Sequence, residues 1–296
     1  MRRKLRLAGG RVIEFQRMEM MGIVNVTPDS FFEGSRADGA AKAMELVSKH
    51  VREGAAMIDI GGESTRPGSK PVEAAEEIQR ICPVIKQVRS LYPNITISAD
   101  TYRSQTAEAA IEAGAHIIND ISGFTFDPDI ASVIADAGAA AVVMHTGGRP
   151  DRMQERPEYG DVVEEVYGFL ARQIEYGIKC GIGEDQMMID VGIGFGKTDE
   201  HNLKLLKNIE RFDDLECPHL MAVSRKSLIG RTLGALVDEG DADEAAGKMI
   251  PAEERLAGTI ALTSYGAMKG LEGARVHDVR ENLQAARMIE AVMGRD

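Results

Sequence analysis

The chain has 296 residues, of which 44% are hydrophobic and 28% charged, enough apolar material for a sizeable core. Its net charge of −12, the absence of Trp and an aromatic content of 5% argue against a nucleic-acid binder, which needs surplus Lys and Arg or rings on which bases stack. No run of about 18 apolar residues is present to span a membrane; Cys82, Cys180 and Cys217 lack CxxC spacing, which disfavours a zinc site or disulfide framework and suits a cytoplasmic protein.

The opening Met1-Arg2-Arg3-Lys4-Leu5-Arg6-Leu7 is basic, but the apolar stretch of a secretory signal does not follow it. From about residue 20 to 294, short Val- and Ile-rich runs alternate with amphipathic stretches. A strand at 20–26 precedes a helix at 40–52; strands at 57–60, 95–99 and 116–121 precede helices at 74–91, 103–113 and 129–137. Strands at 140–144 and 187–191 precede helices at 159–180 and 199–211. A strand at 220–223 leads into a helix start at Ser224-Arg225-Lys226-Ser227, an acidic Gly/Ala-rich stretch read as a mobile insertion (237–250), and a helix at 253–269. The last strand, 273–276, precedes a helix at 279–292. Gly54, Gly114 and Gly138 recur between helix and strand, where a left-handed residue closes the helix. Eight such units without a linker or a GxGxxG turn predict a single-domain α/β protein, a (β/α)8 TIM barrel over residues 1–296.

Every predicted strand ends in a residue that can ionise or hydrogen-bond: Asn25, Asp59, Asp100 with Thr101, Asn119 with Asp120, His145, Asp190, Ser224 with Arg225 and Lys226, and Arg275 with His277. In a closed barrel these ends meet at one mouth, where such enzymes hold their active site. Three subsites can be drawn. Asp100, Asn119, Asp190 and Lys226 could hold a flat heterocycle with donors and acceptors along its edge. Arg66, Arg275 and His277 could hold phosphate, with Asn25 as a neutral oxygen for Mg2+. The helix start at Ser227 could receive a carboxylate. His145 reads equally well as a hydrogen-bonded wall residue.

Met21-Gly22-Ile23-Val24-Asn25-Val26-Thr27-Pro28-Asp29-Ser30-Phe31 and Asp59-Ile60-Gly61-Gly62-Glu63-Ser64-Thr65-Arg66-Pro67-Gly68 resemble the two signatures of the dihydropteroate synthases. The resemblance continues through Asp100-Thr101, Asn119-Asp120, Gly194-Phe195-Gly196-Lys197, Ser224-Arg225-Lys226-Ser227 and Arg275-Val276-His277. It implies a homodimeric enzyme of folate biosynthesis and a sulfonamide target. It puts a pterin on Asp100, Asn119, Asp190 and Lys226, and pyrophosphate on Asn25 with Mg2+, Arg66, Arg275 and His277. It implies p-aminobenzoate among Phe31, Thr65, Pro67, Phe195, Lys226 and Ser227. Three departures, Val191 for the usual Pro, Thr146-Gly147-Gly148 for Met-Gln-Gly and a longer acidic segment near 238–244, remove no expected contact residue, and the Thr146 change falls on the expected pterin wall. A metal-dependent hydrolase would need His-x-His on the first strand, which Ile23-Val24-Asn25 lacks. A corrinoid-partnered methyltransferase domain would share the pterin slot without needing the basic cluster. A non-catalytic paralogue would need neither loop.

Overall fold

The computed structural model describes residues 3–27, 36–64, 69, 71–153, 157–237 and 249–295. Phe31, Thr65, Arg66, Pro67 and the acidic stretch 238–248 lie outside the described residues. Two short strands precede the barrel, β1 (Lys4–Arg6) and β2 (Val12–Glu14), paired antiparallel. They were read above only as a basic terminus. Leu5, Leu7 and Phe15 of this hairpin are buried against Met21, Met57, Ile117, Ala140, Val142, Met188 and Leu220, which fill the lower barrel. Its charged side chains face outward: Arg3 pairs with Asp213 at 2.7 Å and Glu272 at 3.0 Å, and Arg6 with Asp185 at 2.8 Å. The hairpin is therefore a plug for the end of the barrel away from the candidate site.

The eight predicted strands are all present: β3 (Glu19–Asn25), β4 (Met57–Gly61), β5 (Thr96–Asp100), β6 (Ile117–Asp120), β7 (Ala140–Met144), β8 (Met187–Asp190), β9 (Leu220–Met221) and β10 (Gly273–Val276). They pair in parallel in the order β8-β7-β6-β5-β4-β3-β10-β9. Between β8 and β9 the ring is completed by one bridge, Ile189 to His219, and by the Ile189 N–H donating to the Pro218 carbonyl at 2.8 Å. Helices cover the outside: α1 (Arg36–Arg52), α2 (Ala74–Leu91), α3 (Ser104–Ala113), α4 (Asp129–Asp136), α5 (Val162–Cys180), α6 (Asp199–Lys207), α7 (Ser227–Val237), α8 (Leu256–Lys269) and α9 (Val279–Val292). Because both faces of a parallel sheet are covered, its strands are buried along nearly their whole length and mainly apolar up to their polar carboxyl ends. Gly54, Gly114 and Gly138 all have positive φ at the αβ joints. The helix expected from residue 253 begins instead at Leu256, after a 3-10 turn at Ala252–Glu254. There the Arg255 side chain turns back to the carbonyls of Ile250 and Arg225.

The outer core also buries histidines in neutral form. Burial lowers the pKa of both His116 and His219 to about 4, aided in each case by a nearby arginine. These groups bind a proton in the unfolded chain below pH 6.5 but in the fold only near 4, so each withdraws stability as pH falls through that window, the more deeply buried His219 about 2 kcal/mol by pH 5 and His116 less. Asp120, raised to about 6 by burial, acts in the opposite sense. The expected result is that His219→Gln flattens the loss of urea-unfolding stability between pH 7.5 and 5 by about 2 kcal/mol. An unchanged slope would remove His219 from the account.

Candidate active site

The floor of the upper barrel is a hydrogen-bonded cluster drawn from four strands. Register places Asn25, Gly61, Asp100 and Asn119 in one row across β3 to β6, with Asp59 one layer below. Arg275, from β10, donates through Nε to Asp59 Oδ2 at 2.6 Å and through Nη2 to Asp100 Oδ2 at 2.7 Å. Asn119 Nδ2 donates to the same Asp59 oxygen at 3.2 Å. Asp59 is fully buried, and its Oδ1, like Ser98 Oγ beside it, has no hydrogen-bond partner among the described residues. Burial raises the Asp100 carboxyl to about 7, with Arg275 pulling down and Asp59 pushing up. Burial opposes the charge on Arg275, but Asp59 and Asp100 outweigh it and its pKa rises.

The opposite wall is built by the turns after β8 and β9. Asp190 is buried, and its Oδ1 accepts the Gly192 N–H at 2.8 Å. Burial raises this carboxyl, with Lys226 as the leading opposing charge. Lys226 Nζ donates to the Ile193 carbonyl and lies 4.6 Å from the centre of the Phe195 ring. Burial lowers the Lys226 ammonium to about 8 against the pull of Asp190. Gly192 has φ +70, and a Cβ there would fall 1.8 Å from the His145 carbonyl oxygen, so only glycine lets the two turns touch. The turn carrying Lys226 includes Arg225 at φ 56, a conformation costly for a non-glycine residue. It is pinned by the Arg225 N–H to Thr259 Oγ1 at 3.0 Å, by Arg255 on the Arg225 carbonyl at 2.9 Å, and by an Arg225–Asp278 pair at 2.7 Å. Ser227 follows as the first residue of α7, where backbone N–H groups have no intrahelical acceptor.

At the rim, Ser224 Oγ accepts the His277 N–H at 3.2 Å and lies 2.9 Å from His277 Nδ1. The two contacts fix the orientation of the imidazole at the rim. Asn25 ends β3, and its side chain is partly exposed. Glu63 accepts from Tyr102 Oη at 2.7 Å and from the Val72 N–H at 2.9 Å, fixing the stem of the second signature.

The structure thus brings Asp100, Asn119, Asp190, Lys226, Phe195 and Arg275 around one space and sets Asn25, Ser227 and His277 at its edge. Arg275, expected with Arg66 and His277 on phosphate, gains a second role, because its Nε and Nη2 also hold two carboxylates of the floor. Asp59, noted above only as a strand end, is the hub of that floor. Asp120 is structural: its oxygens accept from Ser122 N–H at 2.8 Å and Phe124 N–H at 2.7 Å. His145 is a wall residue, held by Lys197 at 2.9 Å and packed edge-on against Phe169 at 4.9 Å; burial lowers it to about 2. Lys197, the last residue of Gly194-Phe195-Gly196-Lys197, is only 2% exposed and was given no role above.

Among the described residues no group of three or more His, Cys, Asp or Glu side chains is arranged to hold a metal, and Arg275 occupies both floor carboxylates. The Asn25 amide at the end of β3 is, among the described residues, the oxygen assigned to a cation. One neutral oxygen suits Mg2+, which keeps most of its ligands as water and substrate phosphate oxygens.

The profile of the pterin binding enzyme family matches residues 21–277. A dihydropteroate synthase of Clostridium beijerinckii is 40% identical over 281 residues, covering 95% of this chain and 96% of the relative. That of Escherichia coli is 36% identical over 286 residues, covering 97% and 95%. A structure of Xanthomonas albilineans dihydropteroate synthase with 4-aminobenzoic acid has a TM-score of 0.88 at 35% identity, covering 99% of each chain. Another, of the same enzyme in complex with 7,8-dihydropteroate, has a TM-score of 0.83 at 33% identity, covering 98% of each. With a buried carboxylate–lysine–arginine cluster at the mouth of a barrel similar to theirs over nearly its whole length, the chain belongs to the pterin binding enzymes and, among them, to the dihydropteroate synthase family.

Proposed function

We propose that this enzyme joins 6-hydroxymethyl-7,8-dihydropterin pyrophosphate to p-aminobenzoate, giving 7,8-dihydropteroate and pyrophosphate. The observation that carries the reading is the convergence of Asp100, Asn119, Asp190 and Lys226 on one space, with Arg275 holding Asp59 and Asp100 behind it. The pterin edge, rich in N–H groups and lone pairs, meets carboxylates, an amide and an ammonium there. Phe195 and the α7 N-terminus at Ser227 receive p-aminobenzoate, its carboxylate toward the free backbone N–H groups. His277, Asn25 and Arg66 are assigned to the pyrophosphate. Mg2+ held through Asn25 would neutralise charge growing on that leaving group.

The C–O bond between the pterin methylene and the pyrophosphate breaks, and its electron pair leaves with pyrophosphate. Asp100 and Asp190 stabilise the cationic pterin left behind. The aromatic amine then forms the C–N bond and releases its proton to solvent. As a weak base it needs placement more than deprotonation. We place the enzyme in the cytoplasm as a homodimer. The free cysteines suit a reducing compartment, and the exposed Met268, Met288, Val292 and Met293 on and after α8 and α9 offer an apolar face for a second subunit.

The test is incubation with the pterin pyrophosphate, p-aminobenzoate and Mg2+. Pyrophosphate release coupled one-to-one to dihydropteroate, abolished by EDTA, is expected. Release without p-aminobenzoate incorporation would sink the reading, and a pterin-labelled protein trapped during turnover would sink the dissociative substitution without a covalent enzyme intermediate.

A further inference from the structure

Lys197 is a lysine turned wholly inward. Its Nζ lies 2.9 Å from His145 Nδ1 and donates to the carbonyls of Gly192 at 2.9 Å, Phe195 at 3.1 Å and His145 at 3.3 Å. No carboxylate bonds it directly among the described residues; Asp190 acts on it only at longer range, and burial holds its pKa well below the ordinary lysine value. A buried ammonium without a contacting counter-charge is costly and needs a structural or functional reason. Its acceptors supply one, because they belong to two different turns of the wall. His145 follows β7, whereas Gly192 and Phe195 follow β8.

The same turn is held from the site side. Asp190 takes the Gly192 N–H, Lys226 binds the Ile193 carbonyl, and Tyr159 Oη donates to the Gly196 carbonyl at 2.9 Å. Gly194 N–H goes to Asn202 Oδ1 at 2.8 Å. Tyr159 and the Gly147 N–H, which donates to the Phe195 carbonyl at 3.4 Å, also tie the turn to the β7 side, and Lys197 does so with four contacts from one buried atom, at the close approach where the His145 carbonyl leaves no room for a side chain on residue 192. Phe195 sits between two carbonyl anchors and carries its ring beneath the Lys226 ammonium.

We propose that Lys197 is a positioning residue for the second substrate: by cross-linking the turns after β7 and β8 it fixes the Phe195 ring and Lys226 at the spacing the amine substrate needs. This rests on the assignment of p-aminobenzoate to Phe195, Lys226 and Ser227. Lys197 touches neither substrate; it acts through the backbone of the turn. Of the pterin slot, Asp100 and Asn119 are braced independently by Asp59 and Arg275, and only Asp190 and Lys226 share the turn, whereas Phe195 depends on it wholly, so the effect of losing Lys197 falls mainly on the amine.

The test is Lys197→Met, which keeps the apolar stem and removes the donors. Steady-state kinetics are expected to show KM for p-aminobenzoate raised about tenfold or more, kcat lowered less, and affinity for 6-hydroxymethylpterin by calorimetry changed by less than about threefold. Equal loss for both substrates, or no change in the amine KM, would overturn the proposal. If Lys197→Met does not fold, Lys197→Gln, which keeps one amide donor, is measured in the same way. In the unmodified enzyme, hydrogen exchange at residues 192–196 is expected to be slow before any ligand is added, and fast exchange there would also overturn it. Failure of the parent assignment is distinguishable: Phe195→Ala in the otherwise unmodified enzyme would then leave the KM for p-aminobenzoate unchanged.

Discussion

Replacing Arg275 by methionine is expected to slow dihydropteroate formation by about a thousandfold or more and to weaken binding of pyrophosphate-free pterin by at least about tenfold. A guanidinium that only gripped phosphate would leave that pterin affinity intact. Here Arg275 closes pairs of 2.6 Å with Asp59 and 2.7 Å with Asp100, and Asp59 is fully buried. Taking it away leaves two carboxylates facing each other in low dielectric, and removing one partner of such an arrangement costs about 3–5 kcal/mol. The relief available is protonation of Asp100, which destroys the charge that is to stabilise the pterin cation. Arg275→Lys keeps the charge but not the fork, so it cannot reach both carboxylates and is expected to fall between the two. Adding Asp59→Asn to Arg275→Met is expected to restore thermal stability but not turnover, since it removes the stranded charge without rebuilding the floor. Unimpaired pterin affinity in Arg275→Met, measured by calorimetry, would return Arg275 to a purely anionic role.

That shift in the role of Arg275 shows where the sequence stopped being legible. The eight strands could be read because each is a short apolar run, and parallel strands buried on both faces have no other pattern available. The polar residues that end them could be assigned to one mouth because barrel closure brings strand ends together, whatever their separation along the chain. The direction of a long side chain is a different matter. Arg275 lies two residues before the rim residue His277, but which neighbours draw its guanidinium depends on Asp59 and Asp100, about two hundred positions away. Asp59 carried no signal of its own, being one aspartate among eight polar strand ends. Lys197 was hidden because a lysine after a glycine-rich turn normally reads as solvated. The plug was missed because Leu5, Leu7 and Phe15 alternate with charges over strands of three residues each, too short to separate from a basic tail.

The second large effect expected is a narrow bell in the pH dependence of kcat/KM, with limbs near pH 7 and pH 8. Asp100 must be a carboxylate, and burial raises it to about 7, so activity falls as pH drops through that value. Lys226 must be an ammonium, and burial lowers it to about 8, so activity falls again as pH rises through it. The two groups feel each other's charge, so the limbs belong to the pair. Lys226→Arg is expected to carry the alkaline limb beyond the measurable range, and Asp100→Asn to abolish the acid limb while lowering the rate by orders of magnitude. Stability should run the other way. Because the folded Lys226 pKa lies below its unfolded value of 10.5, its favourable contribution is present above that value and is lost as pH falls through about 8. Because the Asp100 pKa lies above its unfolded 3.8, its contribution is present below that value and is lost as pH rises through about 7. Near pH 7.5 the enzyme therefore holds both groups in the charge state its fold disfavours and its chemistry requires. Lys226→Met should raise the melting temperature at pH 7 while removing activity. If that variant melts lower than the parent, the ammonium is a structural asset, and the origin of the alkaline limb must be sought elsewhere.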